Sequence, residues 1–141
     1  MGRVIQGTPI VPGTASGAAL VSDEPLSFWG GYDQTTGEII DRRHPLSGQI
    51  AAGQVLAVPC ARGSSTTTSV LLEAVRAGKA PAALVTDSVD RFFALASIVA
   101  EEMYGKPIPL IALPSEDFAQ LQSGQWIQVE PDGRLIVTEP V

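Results

Sequence analysis

Apolar residues along this chain change their spacing near residue 55, and the change predicts two halves of different construction. In the opening stretch, "RVIQGTPIVPGTASGAALVS", short β-prone runs alternate with Gly and Pro, which mark bends and edge positions and would break a helix repeatedly. β-structure is expected there. "DEPLSFWGGYDQTTGEIID" follows, with Phe28-Trp29 directly before Gly30-Gly31 and a turn-rich run over residues 33–37. This predicts a hairpin with one aromatic plugged into the core.

Beyond residue 55 the pattern becomes strand, loop, helix. "GQVLAVP" reads as a short buried strand, and "SVLLEAVRAG" places Val70, Leu71, Ala74, Val75 and Ala77 at helical spacing before a C-terminal Gly78. "PAALVTD" is a second buried strand. Asp87 or Ser88 can cap the helix "VDRFFALASIVAEEMYG", with Phe92, Leu95, Ala96, Val99 and Met103 expected on its buried face before Gly105. "PIPLIAL" is a third strand, so this half is βαβαβ and favours a parallel sheet with right-handed crossovers. The end, "GQWIQVEPDGRLIVTE", predicts a hairpin turning at Pro131, Asp132 and Gly133. The fold class is therefore α/β, a partly barrel-like β half joined to a βαβαβ parallel layer, in a single domain over residues 1–141.

Composition narrows the function. With 141 residues, 45% apolar and 17% charged, the chain can bury a real core and lacks the low-hydrophobicity, high-charge segments of disorder. Its net charge is −6 and its nine basic residues are scattered, Arg42-Arg43 being the one adjacent pair. Nucleic-acid binders carry a basic stripe, so that class is set aside. The opening "MGRVIQGTPIVPG" has no apolar leader core and no run reaches a membrane span, so a cytoplasmic protein without membrane association is expected. Cys60 is the only cysteine and His44 the only histidine, which excludes an internal disulfide and a Cys-rich metal site within this chain.

The densest chemistry lies in "PCARGSSTTTSV". Residues 61–69 follow a predicted strand and lead into a helix, the position where open α/β sheets bind ligands. Free N–H groups and the positive helix end favour an anion there. The P-loop pattern is absent, since no Lys follows Gly63, and the GxSxG elbow is absent, since Ser65 lacks the second Gly. Two readings of the hydroxyl run remain open. In one, Ser64, Ser65 or Thr66 caps the helix and the rest are solvated. In the other, Ser64 points into a cleft and Arg62 holds a substrate carboxylate through paired donors. His44, in "DRRHPLSG", reads as an exposed or turn histidine, with a base or phosphocarrier role as the alternative. Asp41, Arg42 and Arg43 suggest a surface ion-pair cluster.

Taken together, "PLSFWGGYDQTTGEIIDRRHPLSGQ", "VLAVPCARGSSTTTSVLLEAVRAGKAPAALV" and "VAEEMYGKPIPLIAL" resemble the small subunit, or swivelling domain, of the aconitase X family, over about residues 7–113. The resemblance implies the swivelling β/β/α fold and a partner, the aconitase X large subunit, which holds an iron–sulfur or iron centre; none is bound by this chain alone. It implies dehydration of a small hydroxy acid. "SFWGG", "DRRHPL" and "AEEMYGKPIPLIAL" look more like the bacterial form, acting on cis-3-hydroxy-L-proline, than the archaeal form, acting on mevalonate 5-phosphate. The family's serine base maps onto Ser64, with Ser65 one position away, and the substrate-binding loop onto Arg62, Gly63, Ser65 and Thr66. In the implied mechanism the partner's metal polarises the leaving hydroxyl while Ser64 removes the proton α to the carboxylate. A non-catalytic binding or regulatory module and a phosphohistidine carrier using His44 are the alternatives from other classes.

Overall fold

The computed structural model of the chain describes residues 2–62 and 66–139. Three strands come first: β1 (Gly2–Gln6), β2 (Thr8–Val11) and β3 (Ala15–Val21). A long irregular excursion over residues 22–54 precedes the alternating part. That part comprises β4 (Val55–Ala57), α1 (Thr66–Ala77), β5 (Ala83–Thr86), α2 (Arg91–Tyr104) and β6 (Leu110–Ala112). The short α3 (Ser115–Phe118) leads to the closing hairpin of β7 (Trp126–Val129) and β8 (Arg134–Thr138).

All eight strands form one mixed sheet in the order β1-β8-β7-β3-β4-β5-β6-β2. The expected βαβαβ unit is present: β4, β5 and β6 are parallel neighbours, and β3 joins them in parallel. The β half is antiparallel, β1 on β8, β8 on β7 and β7 on β3. β3 belongs to both parts, pairing with β7 through residues 15–18 and with β4 through residues 19–21. Gln54 fills the changeover, its Oε1 accepting the Ala18 N–H at 2.8 Å.

β1 and β2 lie at opposite ends of this order, yet only Gly7 separates them in the chain. The sheet must therefore coil until its two edges meet. They do not pair, so the barrel-like half stays open rather than closing into a barrel. Gly7 N–H donates to the Gly133 carbonyl at 3.0 Å, tying the edges at the hairpin turn. A Cβ on Gly133 would lie 2.6 Å from the Gly7 carbonyl oxygen, and its φ is +89°; only glycine fits both demands.

The central strands are apolar on both faces because both are covered. Leu56, Leu84 and Leu110 pack with Leu71, Ala74 and Val75 of α1 and Phe93, Ala96 and Ala100 of α2. Val55, Ala57, Ala83 and Val85 face the opposite core, which includes Ile127, Val129, Leu135 and Val137 from the terminal hairpin. The layering is β/β/α. Among the described residues no helix is long and apolar enough to cross a membrane.

Two local expectations are corrected. The cap of α2 is Asp90, whose side chain accepts from the N–H groups of Phe92 and Phe93, rather than Asp87 or Ser88. Its buried face is Phe93, Ala96, Ser97 and Ala100, whereas Leu95 and Met103 are exposed. The run "FFALASIVA" is apolar all round, so its spacing did not choose a face. Small side chains did, because they let α2 approach α1 and the sheet closely. The expected hairpin near Phe28 is reduced to single bridges, Tyr32 to Ile39 and Glu38 to Ile50. One aromatic is plugged into the core as expected: Phe28 is fully buried, stacked on Tyr32 at 5.0 Å and edge-on to Phe93 at 5.4 Å, while Trp29 is exposed.

Gly133→Ala should lower stability by about 1–3 kcal/mol, from backbone strain and overpacking, read as a lower denaturant midpoint at unchanged slope; an unchanged midpoint would mean the sheet edges are not clamped there. Tyr32 gives a pH signature. Its hydroxyl donates to the Lys79 carbonyl at 2.6 Å, and burial pushes its ionisation well above the ordinary value. A folded-state pKa raised above the unfolded one contributes stability that is full below about pH 10 and declines as pH rises toward the folded value, by up to about 1.4 kcal/mol per pH unit. Alkaline unfolding curves of the native chain should show that extra decline, and those of Tyr32→Phe should lack it.

Candidate functional site

Parallel strands expose their carboxyl ends along one edge, and the loops leaving that edge build the site. After β4 the chain runs through residues 58–62 and, beyond residues 63–65, enters α1 at Thr66. Gly63, Ser64 and Ser65, predicted to hold the base and part of the anion pocket, lie outside the described residues. The site is located by the segments on either side of them.

Upstream, residues 60–62 are held along both sides. Leu26 pairs with Ala61 in a parallel bridge; its N–H donates to the Cys60 carbonyl at 3.3 Å and its carbonyl accepts from Arg62 N–H at 2.9 Å. From the other side, Asp90 Oδ2 accepts the Ala61 N–H at 2.7 Å. Downstream, Thr67 is buried and Thr68 Oγ1 donates to the Phe92 carbonyl at 3.4 Å. Part of the hydroxyl run is thus spent on packing α1 against α2. Thr66 is exposed at the head of α1, and Arg62 is exposed just before the loop.

Charges of both signs meet at this corner, the exposed Arg62 just before the loop and Asp87 and Asp90 close enough to act on Cys60. No acidic residue occupies the first turn of α1, so nothing of its own offsets the positive end of the helix. In α2 the first N–H groups are taken by the Asp90 carboxylate. An open cleft of about 420 Å³ lies along the same strand edge, lined by Val21, Asp23, Pro59, Asp87 and Phe118 among others. Asp23 and Asp87 are its charged residues, so a carboxylate fits beside Arg62 better than in that cleft.

Cys60 is half-buried, and its thiol is pushed up by burial first and then by Asp90 and Asp87, against a smaller opposite pull from Arg62. Thiolate is the form that binds metal, so Cys60 is poorly suited to ligation. Among the described residues no three His, Cys, Asp or Glu side chains converge on a metal position. An iron–sulfur cluster is not one that the residues of this chain fit.

His44 is buried within its turn, which corrects the exposed reading. Nδ1 accepts the Leu46 N–H at 3.1 Å, so the ring proton sits on Nε2, which faces the Glu24 carbonyl at 3.2 Å. Both nitrogens are engaged in joining residues 24 and 46, which leaves neither for phosphoryl transfer or proton abstraction. The expected cluster beside it does not form: Asp41 accepts from the Arg43 N–H, and the ion pairs among the described residues are Glu73–Arg76 and Asp132–Arg134. Leu26 and Asp90 were not foreseen as site residues. The Leu26 pairing is non-local and leaves no trace in sequence, whereas Asp90 lies in "DSVD" two and three residues beyond the two expected caps, Ser88 and Asp87.

A mixed sheet with helices over one face and a hydroxyl-rich loop at its parallel edge defines a β/β/α domain of the swivelling class. The family model for the aconitase X swivel domain matches residues 4–138, and the chain belongs to that family. It is 47% identical over 126 residues to a cis-3-hydroxy-L-proline dehydratase of Pseudomonas aeruginosa, covering 89% of this chain but only 21% of that protein. It is 36% identical to a phosphomevalonate dehydratase small subunit of Thermococcus onnurineus, covering 96% of this chain and 98% of the relative. The crystal structure of aconitase X from Thermococcus kodakaraensis, in its holo-form, superposes with a TM-score of 0.85 at 30% identity, over 97% of this chain and 99% of that one.

His44→Ala should cost about 1–3 kcal/mol, because it strands a buried N–H and a carbonyl. Equilibrium denaturation measures it, and a change below about 0.5 kcal/mol, the range of an ordinary surface substitution, would contradict the clasp.

Proposed function

We propose that residues 1–141 form the swivelling domain of an aconitase-X-type hydro-lyase, acting with a large-subunit partner to dehydrate cis-3-hydroxy-L-proline. The observation that carries this reading is an exposed Arg62 on the loop that leads into α1, a helix with no acidic residue in its first turn, which suits a substrate carboxylate and a developing alkoxide. The 47% identity to a named cis-3-hydroxy-L-proline dehydratase supports the substrate. Asp23 and Asp87 along the same edge support it too, since they would repel a phosphorylated substrate more than a zwitterionic imino acid. Mevalonate 5-phosphate is the second reading, favoured by the 36% identity to a phosphomevalonate dehydratase small subunit over almost its whole length.

In this reading Arg62 holds the carboxylate through paired donors, with Gly63, Ser65 and Thr66 completing the substrate-binding loop. Ser64 acts as alkoxide and takes the proton from the carbon bearing the carboxylate. The electron pair left behind forms the ring double bond as the C3–O bond breaks and hydroxide leaves; that hydroxide and the proton now on Ser64 make up the water lost, and giving up the proton returns Ser64 to its alkoxide. The resulting enamine tautomerises to Δ1-pyrroline-2-carboxylate. Serine is a poor base at its ordinary pKa, so the alkoxide depends on loop N–H groups and the positive end of α1. Closure of this domain over the partner would exclude water and bring Ser64 to the substrate. Any iron or iron–sulfur centre belongs to the partner, while this chain supplies the base and the groups that hold the carboxylate.

Co-expression with the large subunit, anaerobic purification and an assay for pyrroline formation test the proposal. Activity should appear in the complex, be absent from this chain alone, and fall by at least about 10²-fold in Ser64→Ala. Retention within a few-fold would remove Ser64 as the base. Turnover of mevalonate 5-phosphate in place of the hydroxyproline would install the second reading.

A further inference from the structure

We propose that Asp90 is a positioning residue for the base, holding the strand segment that leads into Ser64 through a hydrogen bond separate from its helix-capping role; this rests on the reading of Ser64 given above. Capping α2 occupies one carboxylate oxygen: Oδ1 accepts from Phe92 N–H at 2.9 Å and Phe93 N–H at 3.0 Å. Asn, Ser or Thr would serve that purpose equally well. The second oxygen does something a cap does not require. Oδ2 reaches back across the sheet edge to the Ala61 N–H at 2.7 Å, a short, charge-assisted bond three residues before Ser64.

The surroundings make this bond consequential. Asp90 is 7% exposed, so its carboxylate has little water to exchange with and its amide partners hold it in one orientation. Ala61 is gripped on its other side by Leu26, and residues 26–28 are themselves fixed where Phe28 meets the edge of Phe93, three residues into the Asp90 helix. Beyond the loop, Thr68 bonds to the Phe92 carbonyl. Both ends of the segment carrying Ser64 are therefore referred to the first turn of α2, and Asp90 is the side chain that joins that turn to the upstream end. Removing Oδ2 leaves the Ala61 N–H without its partner and lets residues 60–62 shift relative to Thr66. A base displaced by a fraction of an ångström to about 1 Å loses up to about 10²-fold in rate without losing substrate affinity.

The test compares Asp90→Asn and Asp90→Ser, which both retain a capping oxygen. Asn is isosteric but offers either one acceptor or a donor facing the Ala61 N–H, and Ser is too short to reach it. Amide hydrogen exchange on the chain itself is read first: the native Ala61 amide should be protected. In both variants it should exchange at least about tenfold faster, while Ala96 and Ala100 in the middle of α2 keep their native rates. In the assembled two-subunit enzyme, kcat should fall about 10–100-fold with KM changed less than about threefold. An unprotected native Ala61 amide, or unaltered exchange in the variants, overturns the clamp. Faster exchange with an unaltered kcat, in an enzyme that Ser64→Ala inactivates, overturns the positioning role. If Ser64→Ala stays active, the reading of the base fails instead, and exchange alone still decides whether Asp90 holds the segment.

Discussion

One residue of chain, Gly7, separates the two strands at opposite edges of an eight-stranded sheet. A flat sheet of that width cannot satisfy so short a link, so the sheet coils and β3 is shared between an antiparallel and a parallel part. The coil creates the interior lined by Ile5, Val55, Val85, Ile127 and Leu135, and it leaves the outer face of the parallel strands for the two helices. The β/β/α layering follows from this closure constraint together with strands apolar on both faces.

The same arrangement decides where chemistry can occur. Parallel strands end together, so their loops share one edge, and the excursion over residues 22–54 folds back to that edge through Leu26 and the His44 turn. Polar groups there differ in what they do. Thr68, His44 and Asp90 hold backbone segments in place through hydrogen bonds. Arg62, by contrast, is exposed just before the loop, and the first turn of α1 carries no acidic residue. Among its described members, the run of hydroxyls divides into Thr67 and Thr68, which pack into the fold, and Thr66 and Ser69, which are exposed.

Among the described residues this domain brings together no set of side chains that could hold a metal ion. Cys60 is held toward its neutral thiol by burial and two nearby carboxylates, the protonation state that does not bind metal. The relatives divide in a parallel manner: one carries the matching region as 21% of a longer chain, another as nearly the whole of a separate small subunit. A fold with its own complete core can be joined to or separated from a larger partner without altering the edge that faces the chemistry.

Sequence by itself determined the elements whose signals are local. The β-punctuated start, the βαβαβ run, Gly78 and Gly105 at the helix ends and the "EPDG" turn are all written within a few residues of where they act. The position of the candidate loop between β4 and α1 was legible for the same reason, since a strand, a polar gap and a helix define it. Tertiary structure decided what depends on distant partners. It chose the buried face of α2, because that helix is apolar all round and only its contacts with α1 and the sheet distinguish Phe93 and Ala96 from Leu95 and Met103. It made His44 a buried clasp by bringing the Glu24 carbonyl to its ring, and it gave Asp90 a second bond by bringing Ala61 within reach. Hydrogen bonds between residues twenty or more positions apart have no periodicity to announce them; they exist only once packing has set the distance.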